Sequence, residues 1–196
     1  MSRQAEARER TKTKIMKVAR ELFIAKGYSE TTLQDILTAG DISKGNLYHH
    51  FKGKEFLFLH IVEEDCHQWK EKWEERKSFS KNAIERLYDL ATFSVEESFN
   101  YYPIIQATEE FFASAFKSQE VIERLNEIEK QYLEIIEEIL LEGNHDKSWN
   151  IKDIDSSTQI VSSLFLGLEA MVQHKSYKEK EKIHQEAVRL LIKGLQ

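Results

Sequence analysis

Residues 32–51 read TLQDILTAGDISKGNLYHHF, and this stretch decides the fold. It contains two short segments with helical character, near 33–39 and 43–49, on either side of a turn at Gly40 and Asp41. Helices this short are not stable in isolation. The stretch therefore predicts two short helices, joined by a tight turn, that pack against a larger helical body.

Hydroxyl side chains stand where these two helices begin. Thr31 or Thr32 precedes the first helix, and Ser43 precedes the second. Both helices are expected to be capped there, because a hydroxyl oxygen accepts a hydrogen bond from a free N–H group of the first turn. Gly45 is unfavourable inside so short a helix unless the backbone must approach another molecule closely. The second helix is therefore predicted to present its outer face to a partner.

An amphipathic helix precedes this stretch. Its apolar residues recur at helical spacing on one face, the opposite face is rich in Lys and Arg, and Gly27 follows as an end signal. The apolar residues are Ile15, Val18, Ala19, Leu22 and Phe23. Three helices in this order form a helix-turn-helix domain, whose last helix enters the major groove of DNA and reads the base edges there. The sequence therefore predicts binding to double-stranded DNA.

The charge is distributed unevenly along the chain. Residues 1–54 contain 11 Lys and Arg against 6 Asp and Glu, whereas the remaining residues contain 17 against 28. A basic module suits a polyanion and an acidic body repels one, so DNA is expected to meet only the first part of the protein. The alternative is that the surface charge is merely uneven.

The composition favours an all-α fold, since 196 residues include one proline, Pro103, and seven glycines. A long helix is expected from Lys54 to Arg76. Further helices are expected near residues 82–101, 104–117, 119–141, 153–174 and 179–194, with a polar loop at 142–150. We therefore expect residues 1–54 to form the N-terminal three-helix DNA-binding domain and residues 55–196 to form a larger helical ligand-binding and dimerisation domain.

The sequence gives little support for export, catalysis or metal binding. The apolar runs are too short for a membrane span or a signal peptide, and the single cysteine, Cys66, fits a reducing compartment, so a cytoplasmic protein with no membrane partner is expected. His60, Cys66 and His67 have spacings that do not place three metal ligands on one helix face. The sequence also lacks the motifs of hydrolases and nucleotide-binding enzymes. We expect no enzyme activity, no metal and no cofactor.

Three motifs extend this interpretation. Gly27 and Tyr28 end the first helix, SKGNLYHHF occupies residues 43–51, and KGKE follows at residues 52–55. In these motifs the chain resembles the TetR family of one-component repressors. Within that family it is similar over nearly its full length to the multidrug-binding repressor of a quaternary-ammonium efflux pump, in ELFIAKGY at 21–28, SKGNLYHHFK at 43–52, KEFLF at 54–58, Trp69 with Trp73, Tyr101-Tyr102-Pro103 and Glu142-Gly143-Asn144. The resemblance implies a palindromic operator and these DNA-binding residues: Thr31, Thr32, Ser43, Lys44, Gly45, Asn46, Tyr48, His49, His50, Lys52 and Lys54. Thr31, Lys52, Lys54 and residues near the first helix are expected to contact phosphates. Leu37 and the pair Gly40 and Asp41 depart from the family pattern, so helix packing and turn geometry are expected to differ there.

The same resemblance implies a small-molecule inducer site. Aromatic faces and a carboxylate suit a lipophilic cation, because the ring quadrupole and the negative charge both attract it. The residues at the matching positions are Asp65, Trp69, Tyr101, Tyr102, Phe112, Glu129 and Tyr132. Two acidic positions of the relatives are replaced here, by Cys66 and Phe99, which favours a monovalent cation or a neutral compound. The alternative is that these aromatic residues fill a core and that the large domain only dimerises or docks a protein.

The last two helices are predicted to form a homodimer with twofold symmetry. Apolar residues cover more of the first of them than one core face requires, and these are Ile160, Val161, Leu164, Phe165, Leu168, Met171 and Val172. Gly167 would allow two chains to approach. The alternative is that this helix is the central helix of a monomer. A ligand that tilts the long helix from Lys54 to Arg76 would change the spacing of the two DNA-reading helices and release the operator.

Overall fold

The structure, a computed structural model, describes the backbone of residues 3–114 and 117–195 and the side chains of all of these except 100–103 and 195. The described residues contain helices and no β-strand. The helices are α1 Arg3–Glu30, α2 Leu33–Gly40, α3 Lys44–His50, α4 Lys54–Lys77, α5 Ala83–Ala113, α6 Gln119–His145, α7 Ile154–Met171 and α8 Tyr177–Leu195. The all-α fold predicted from the sequence is confirmed.

The regular part of α1 ends at Gly27, as the sequence predicts. Gly27 has a φ of 80° and a ψ of 171°, a conformation that a residue with a Cβ atom rarely adopts. A Cβ atom at this position would also lie 2.5 Å from Oε1 of Glu110. Thr31 follows in the buried interior, where its hydroxyl donates to the carbonyl of Gly27 at 2.7 Å. The kink at Gly27 near the end of α1 therefore favours glycine.

The two short helices begin at the residues that the sequence indicates. Thr32 accepts a hydrogen bond from the N–H of Asp35, whose carboxylate accepts one from the N–H of Thr32, so the two residues form a capping box. Asp41 ends α2 with a φ of 46°, which a short polar side chain tolerates. Ser43 accepts from the N–H of Asn46 at 3.2 Å. Two caps and one left-handed residue therefore set the path of the chain from α2 into α3.

The chain forms two compact units that do not follow its linear order. The first unit comprises the residues up to His67 together with Tyr101–Leu125, and the second comprises Gln68–Asn100 and the residues from Asn126 onward. The helices α1, α2 and α3 belong to the first unit, and α7 and α8 belong to the second. Each of α4, α5 and α6 contributes to both units.

The core of the first unit is rich in aromatic side chains. Four rings are in contact at centroid distances between 4.9 and 5.8 Å, and we call Phe23, Tyr28, Phe58 and Phe111 the first-unit ring cluster. Ile15, Ile36 and Leu47 are also fully buried in this unit. Because Leu47 is the buried residue of α3, it fixes which face of that helix remains exposed.

The core of the second unit draws on α4 to α8. Its buried residues include Trp73, Leu87, Leu90, Phe93, Ile136, Leu140, Val161, Phe165 and Val188. Trp149 follows α6 and is buried too, with its indole N–H donating to the carbonyl of Leu140 at 2.8 Å. A Cβ atom at Gly143 would collide with the Trp149 ring. The segment predicted as a polar loop at 142–150 is therefore anchored by one buried aromatic side chain, and α6 extends into it as far as His145.

One predicted boundary is wrong. The sequence predicts a break near Pro103, whereas α5 continues through this residue from Ala83 to Ala113. Proline removes only one hydrogen bond from a helix, and α5 has 31 residues over which its other hydrogen bonds and its packing can maintain the helix. The proline therefore does not separate two helices here.

Candidate functional site

The outer face of α3 carries most of the residues predicted to read DNA. Lys44, Gly45, Asn46 and His49 are exposed, and Tyr48 retains 50% of its accessible surface. Apart from its two chain neighbours and the nearby backbone of α3, nothing lies within 4 Å of the place that a Cβ atom on Gly45 would occupy. The Lys44 ammonium lies 5.8 Å from the centre of the Tyr48 ring. This face therefore offers donors, one aromatic ring and open space beside a glycine backbone.

Three predicted phosphate-binding residues have partners inside the first unit. Thr31 is buried with its hydroxyl donating to the carbonyl of Gly27. The Lys52 ammonium lies 2.6 Å from a carboxylate oxygen of Glu120, with both side chains exposed. The Lys54 ammonium donates to the carbonyls of Tyr28 and Thr31, each at 2.9 Å. The predicted contacts of these residues with DNA stay predictions, and each contact would compete with an internal one.

A polar groove lies between α1 and α3, and we call it the α1–α3 groove. It has a volume of about 550 Å³ and is lined by Gln4, Ala5, Ala7, Arg8, Thr11, Asn46, His49 and His50. The rings of His49 and His50 meet edge to face at 5.2 Å. Burial lowers the pKa of His50, and the positive charges of His49, Arg8 and Lys12 lower it further. The sequence predicts phosphate contacts near the first helix but does not name Arg8 among them.

Two residues predicted to bind ligand are in contact within the second unit. The rings of Trp69 and Tyr132 lie 5.9 Å apart, and Trp69 also contacts Phe93 at 5.0 Å. Both Trp69 and Tyr132 are partly buried. Burial raises the pKa of Tyr132, and the nearby carboxylate of Glu169 raises it further. These rings therefore form part of a packed aromatic group that includes Trp73 and Phe93.

The predicted acidic ligand residues have different surroundings. Glu129 is exposed on the part of α6 that belongs to the second unit. Asp65 belongs to the first unit, where it forms an ion pair with Arg20. Burial raises the pKa of Asp65, and hydrogen bonding and charge from Arg20 oppose this shift. The structure thus supplies one solvated carboxylate and one that already has a cationic partner.

The remaining predicted ligand residues are Phe112, Tyr101 and Tyr102. Phe112 is 51% exposed, and its ring lies 5.9 Å from that of Phe111. The backbone of Tyr101 and Tyr102 lies in α5, but their side chains are outside the described residues. The ligand-binding roles of all these residues stay predictions.

Within the described residues, no group of three or more His, Cys, Asp or Glu side chains converges as a metal site would require. None of the described helices combines the length and the apolarity of a membrane span. Burial raises the pKa of the Cys66 thiol to about 11, with the charges of Asp65 and Glu63 adding to the effect. Cys66 is therefore a protonated, weakly reactive thiol at neutral pH.

An apolar groove runs between α7 and α8, and we call it the α7–α8 groove. Its volume is about 830 Å³, and its lining includes Leu164, Leu168, Ile183, Ala187, Leu190 and Leu191. On α7, Ile160, Leu166 and Met171 are 63%, 59% and 75% exposed, whereas Val161 and Phe165 are buried. α7 therefore has one apolar face in the core of the unit and further apolar residues on the surface.

Comparison with known proteins connects these features to a family. The model of the bacterial regulatory proteins of the tetR family matches residues 15–61, and the model of the QacR-like protein C-terminal region matches residues 65–196. The transcriptional regulator QacR of Staphylococcus aureus (strain Mu50 / ATCC 700699) is 33% identical over 184 residues, which cover 94% of this chain and 97% of that protein.

Solved structures share the fold. The regulator FadR from Bacillus subtilis, in complex with stearoyl-CoA, has a TM-score of 0.79 at 21% identity and covers 94% of this chain and 99% of its own. A putative transcriptional regulator from Pseudomonas aeruginosa PAO1 has a TM-score of 0.81 at 15% identity and covers 95% and 92%. The two family models together span the helix-turn-helix and most of the remaining chain, and QacR is similar over nearly the full length. The chain therefore belongs to the TetR family of DNA-binding transcription regulators, with a QacR-like C-terminal region.

Proposed function

We propose that this regulator is a repressor that binds a palindromic operator through α3 and leaves it when a small molecule binds. The outer face of α3 is the observation that carries this proposal. Its exposed Lys44 and His49 can donate to phosphates or base edges, and Gly45 leaves room for the backbone to approach the groove. Because its target is chromosomal DNA, the protein acts in the cytoplasm.

The proposed dimer forms through α7 and α8. The α7–α8 groove and the exposed Ile160, Leu166 and Met171 give an apolar surface that a second copy of the chain would cover. Twofold symmetry then presents two α3 helices to successive major grooves, about 34 to 36 Å apart. A palindromic operator follows from this symmetry, since each protomer reads the same half-site.

The proposed inducer is lipophilic and either aromatic or cationic. The QacR-like region over residues 65–196 and the contact between Trp69 and Tyr132 support this class, with Glu129 as the candidate countercharge. A ligand that binds the DNA-incompetent state a hundredfold more tightly shifts the equilibrium by about 2.7 kcal/mol at each site. The packing of Trp69 against Phe93 favours a second candidate function, in which the large domain only dimerises or docks a protein.

Operator binding can be tested with fragmented genomic DNA. The full-length protein should retain a small set of fragments that share a palindrome, and the Gly45→Leu variant should retain none of them. Leucine at this exposed position fills the space that the DNA backbone would need. Its Cβ atom meets no atom outside the local backbone of α3 and the two neighbouring residues within 4 Å, so the fold should be retained. A Gly45→Leu variant that binds the same fragments with wild-type affinity contradicts docking through α3.

The ligand class can be tested by titration. Tetraphenylphosphonium, its neutral isostere tetraphenylmethane and stearoyl-CoA are added separately while tryptophan fluorescence and operator binding are followed. We expect the cation to quench fluorescence and release the operator at lower concentration than the neutral compound. Release by stearoyl-CoA alone would replace the cation with an acyl-CoA, and release by none of the three would favour the protein-docking function.

A further inference from the structure

The α1–α3 groove joins the DNA-reading helix to the first turns of α1. Asn46, His49 and His50 line it from α3, and Arg8 lines it from α1. Both walls belong to the first unit, and Asn46 and His49 also lie on the exposed face of α3. A molecule held by α3 would therefore reach this groove without any movement of the protein.

Positive charge is concentrated around the groove. Residues 3–17 of α1 contain six Lys and Arg against two Glu. The groups that face His50 are His49 on its own helix and Arg8, Lys12 and Glu9 on α1, so one acid stands among several cations. Burial and these cations lower the pKa of His50 and so favour its neutral ring in the free protein. An anion that entered the groove would offset the repulsion and favour the protonated ring.

A DNA phosphate is the anion that this position favours. Phosphate contacts make up half or more of the hydrogen bonds between proteins and DNA, and they flank the base contacts of the reading helix. The groove lies beside that helix and offers a guanidinium, which matches phosphate geometry, together with an amide and two imidazoles.

We propose that the α1–α3 groove binds a phosphate of the DNA backbone, with Arg8 and His50 as its cationic ligands, Asn46 as a hydrogen-bond donor, and uptake of one proton by His50 on binding. This inference rests on the proposed operator binding and names a contact that α3 alone does not provide. The proton comes from solvent and stays on the imidazole ring of His50 while the phosphate is bound.

Proton uptake gives the pH dependence a definite sign. Bound phosphate raises the pKa of His50 above that of the free protein, so the affinity for DNA increases as the pH falls through the pKa of the bound state. The increase stops below the pKa of the free state, where His50 is protonated in both states. Within this window one coupled proton changes the affinity by at most about tenfold per pH unit.

Two matched pairs of variants test the proposal with a duplex that the full-length protein has selected from a random-sequence pool. Arg8→Gln is compared with Arg10→Gln, which changes the same charge on the same helix at an exposed residue outside the groove lining. Arg8→Gln should lower the log–log salt slope of binding by about one for each protomer, and Arg10→Gln should lower it less. His50→Gln is compared with His174→Gln, an exposed histidine between α7 and α8. His50→Gln should flatten the pH dependence, and His174→Gln should leave it as in the wild type.

Each outcome has a separate meaning. Equal salt slopes for Arg8→Gln and Arg10→Gln, or parallel pH curves for His50→Gln and the wild type, overturn the phosphate site while leaving operator binding intact. If the wild type selects no duplex, operator binding fails and the phosphate site fails with it. Circular dichroism checks that each variant is folded. If His50→Gln unfolds, the salt slopes of Arg8→Gln and Arg10→Gln still test the phosphate site.

Discussion

Aromatic side chains have opposite surroundings on α3 and in the aromatic group of the second unit. Tyr48 on α3 keeps half of its surface exposed and has a lysine ammonium near its ring. Trp73 is fully buried, and its ring lies 5.6 Å from that of Phe93. Trp69 contacts the same Phe93 ring and Tyr132. The exposed side chains of α3 thus make few contacts within the fold, whereas the rings of the aromatic group pack against one another and stabilise it.

This difference separates two ways of binding a partner. DNA can meet α3 as it stands, because the exposed face requires no rearrangement. A ligand that binds against Trp69 or Tyr132 must replace contacts that these rings already make, so its affinity is reduced by the free energy of opening the group. The two regions should therefore respond differently to substitution.

The largest expected difference is in the free energy of unfolding, between substitutions of Trp73 and of Tyr48. Trp73→Ala should lower the free energy of unfolding by about 3 to 5 kcal/mol, because it leaves a cavity in a packed core. Tyr48→Ala should change it by less than about 0.5 kcal/mol, because Tyr48 is half exposed. Chemical denaturation at one protein concentration measures both values, and duplex binding should be weakened by Tyr48→Ala. Equal losses of stability would remove the distinction between the two regions.

A smaller difference in stability is expected between substitutions of two lysines of the first unit, Lys54 and Lys44. Lys54→Ala should lower the free energy of unfolding by about 1 to 2 kcal/mol, because the carbonyls of Tyr28 and Thr31 lose a charged donor. Lys44→Ala should leave stability unchanged and lower the salt slope of DNA binding by about one for each protomer. Denaturation and salt titration on both variants make the comparison. If Lys54→Ala lowers the salt slope and not the stability, the phosphate contact predicted from the sequence is the correct role for Lys54.

The smallest expected effect concerns Glu129. Because this carboxylate is exposed, Glu129→Gln should change the free energy of unfolding by less than about 0.5 kcal/mol. The substitution should instead weaken the preference for a cationic ligand. The affinity for tetraphenylphosphonium should fall by up to about tenfold, and the affinity for the neutral isostere should stay unchanged. Fluorescence titration of wild type and variant measures both affinities. Unchanged cation affinity would remove Glu129 from the candidate ligand site.

The helix-turn-helix could be predicted in detail because its signals are local. Thr32, Ser43 and Gly27 act through backbone conformation and hydrogen bonds within a few residues, so their sequence positions identify the ends of the helices. The exposed face of α3 also follows from one buried residue, Leu47. The functional division at residue 54 stays a prediction.

Other features depend on contacts between distant residues and could not be predicted in this way. Pro103 indicates a local break, but the continuation of α5 depends on the whole helix. The internal partners of Lys54 lie at Tyr28 and Thr31, and that of Asp65 is Arg20, and spacing along the chain does not reveal these contacts. Arg8 was not identified because a basic helix face does not show which of its residues lies beside α3.

The contribution of Tyr101–Leu125 to the first unit limits how DNA specificity can be exchanged between relatives. Phe111 contacts Tyr28 and Phe58 at 5.1 and 4.9 Å, and the Glu110 carboxylate accepts from the N–H of Ser29 at 2.8 Å. A chimera that received only residues 1–54 would lack both Phe111 and Glu110, and Tyr28 would meet whatever side chains the recipient supplies. A chimera that keeps the operator preference must therefore include Glu110 and Phe111 together with the DNA-reading helices. Alternatively, the recipient must already have an acidic and an aromatic residue at those two positions.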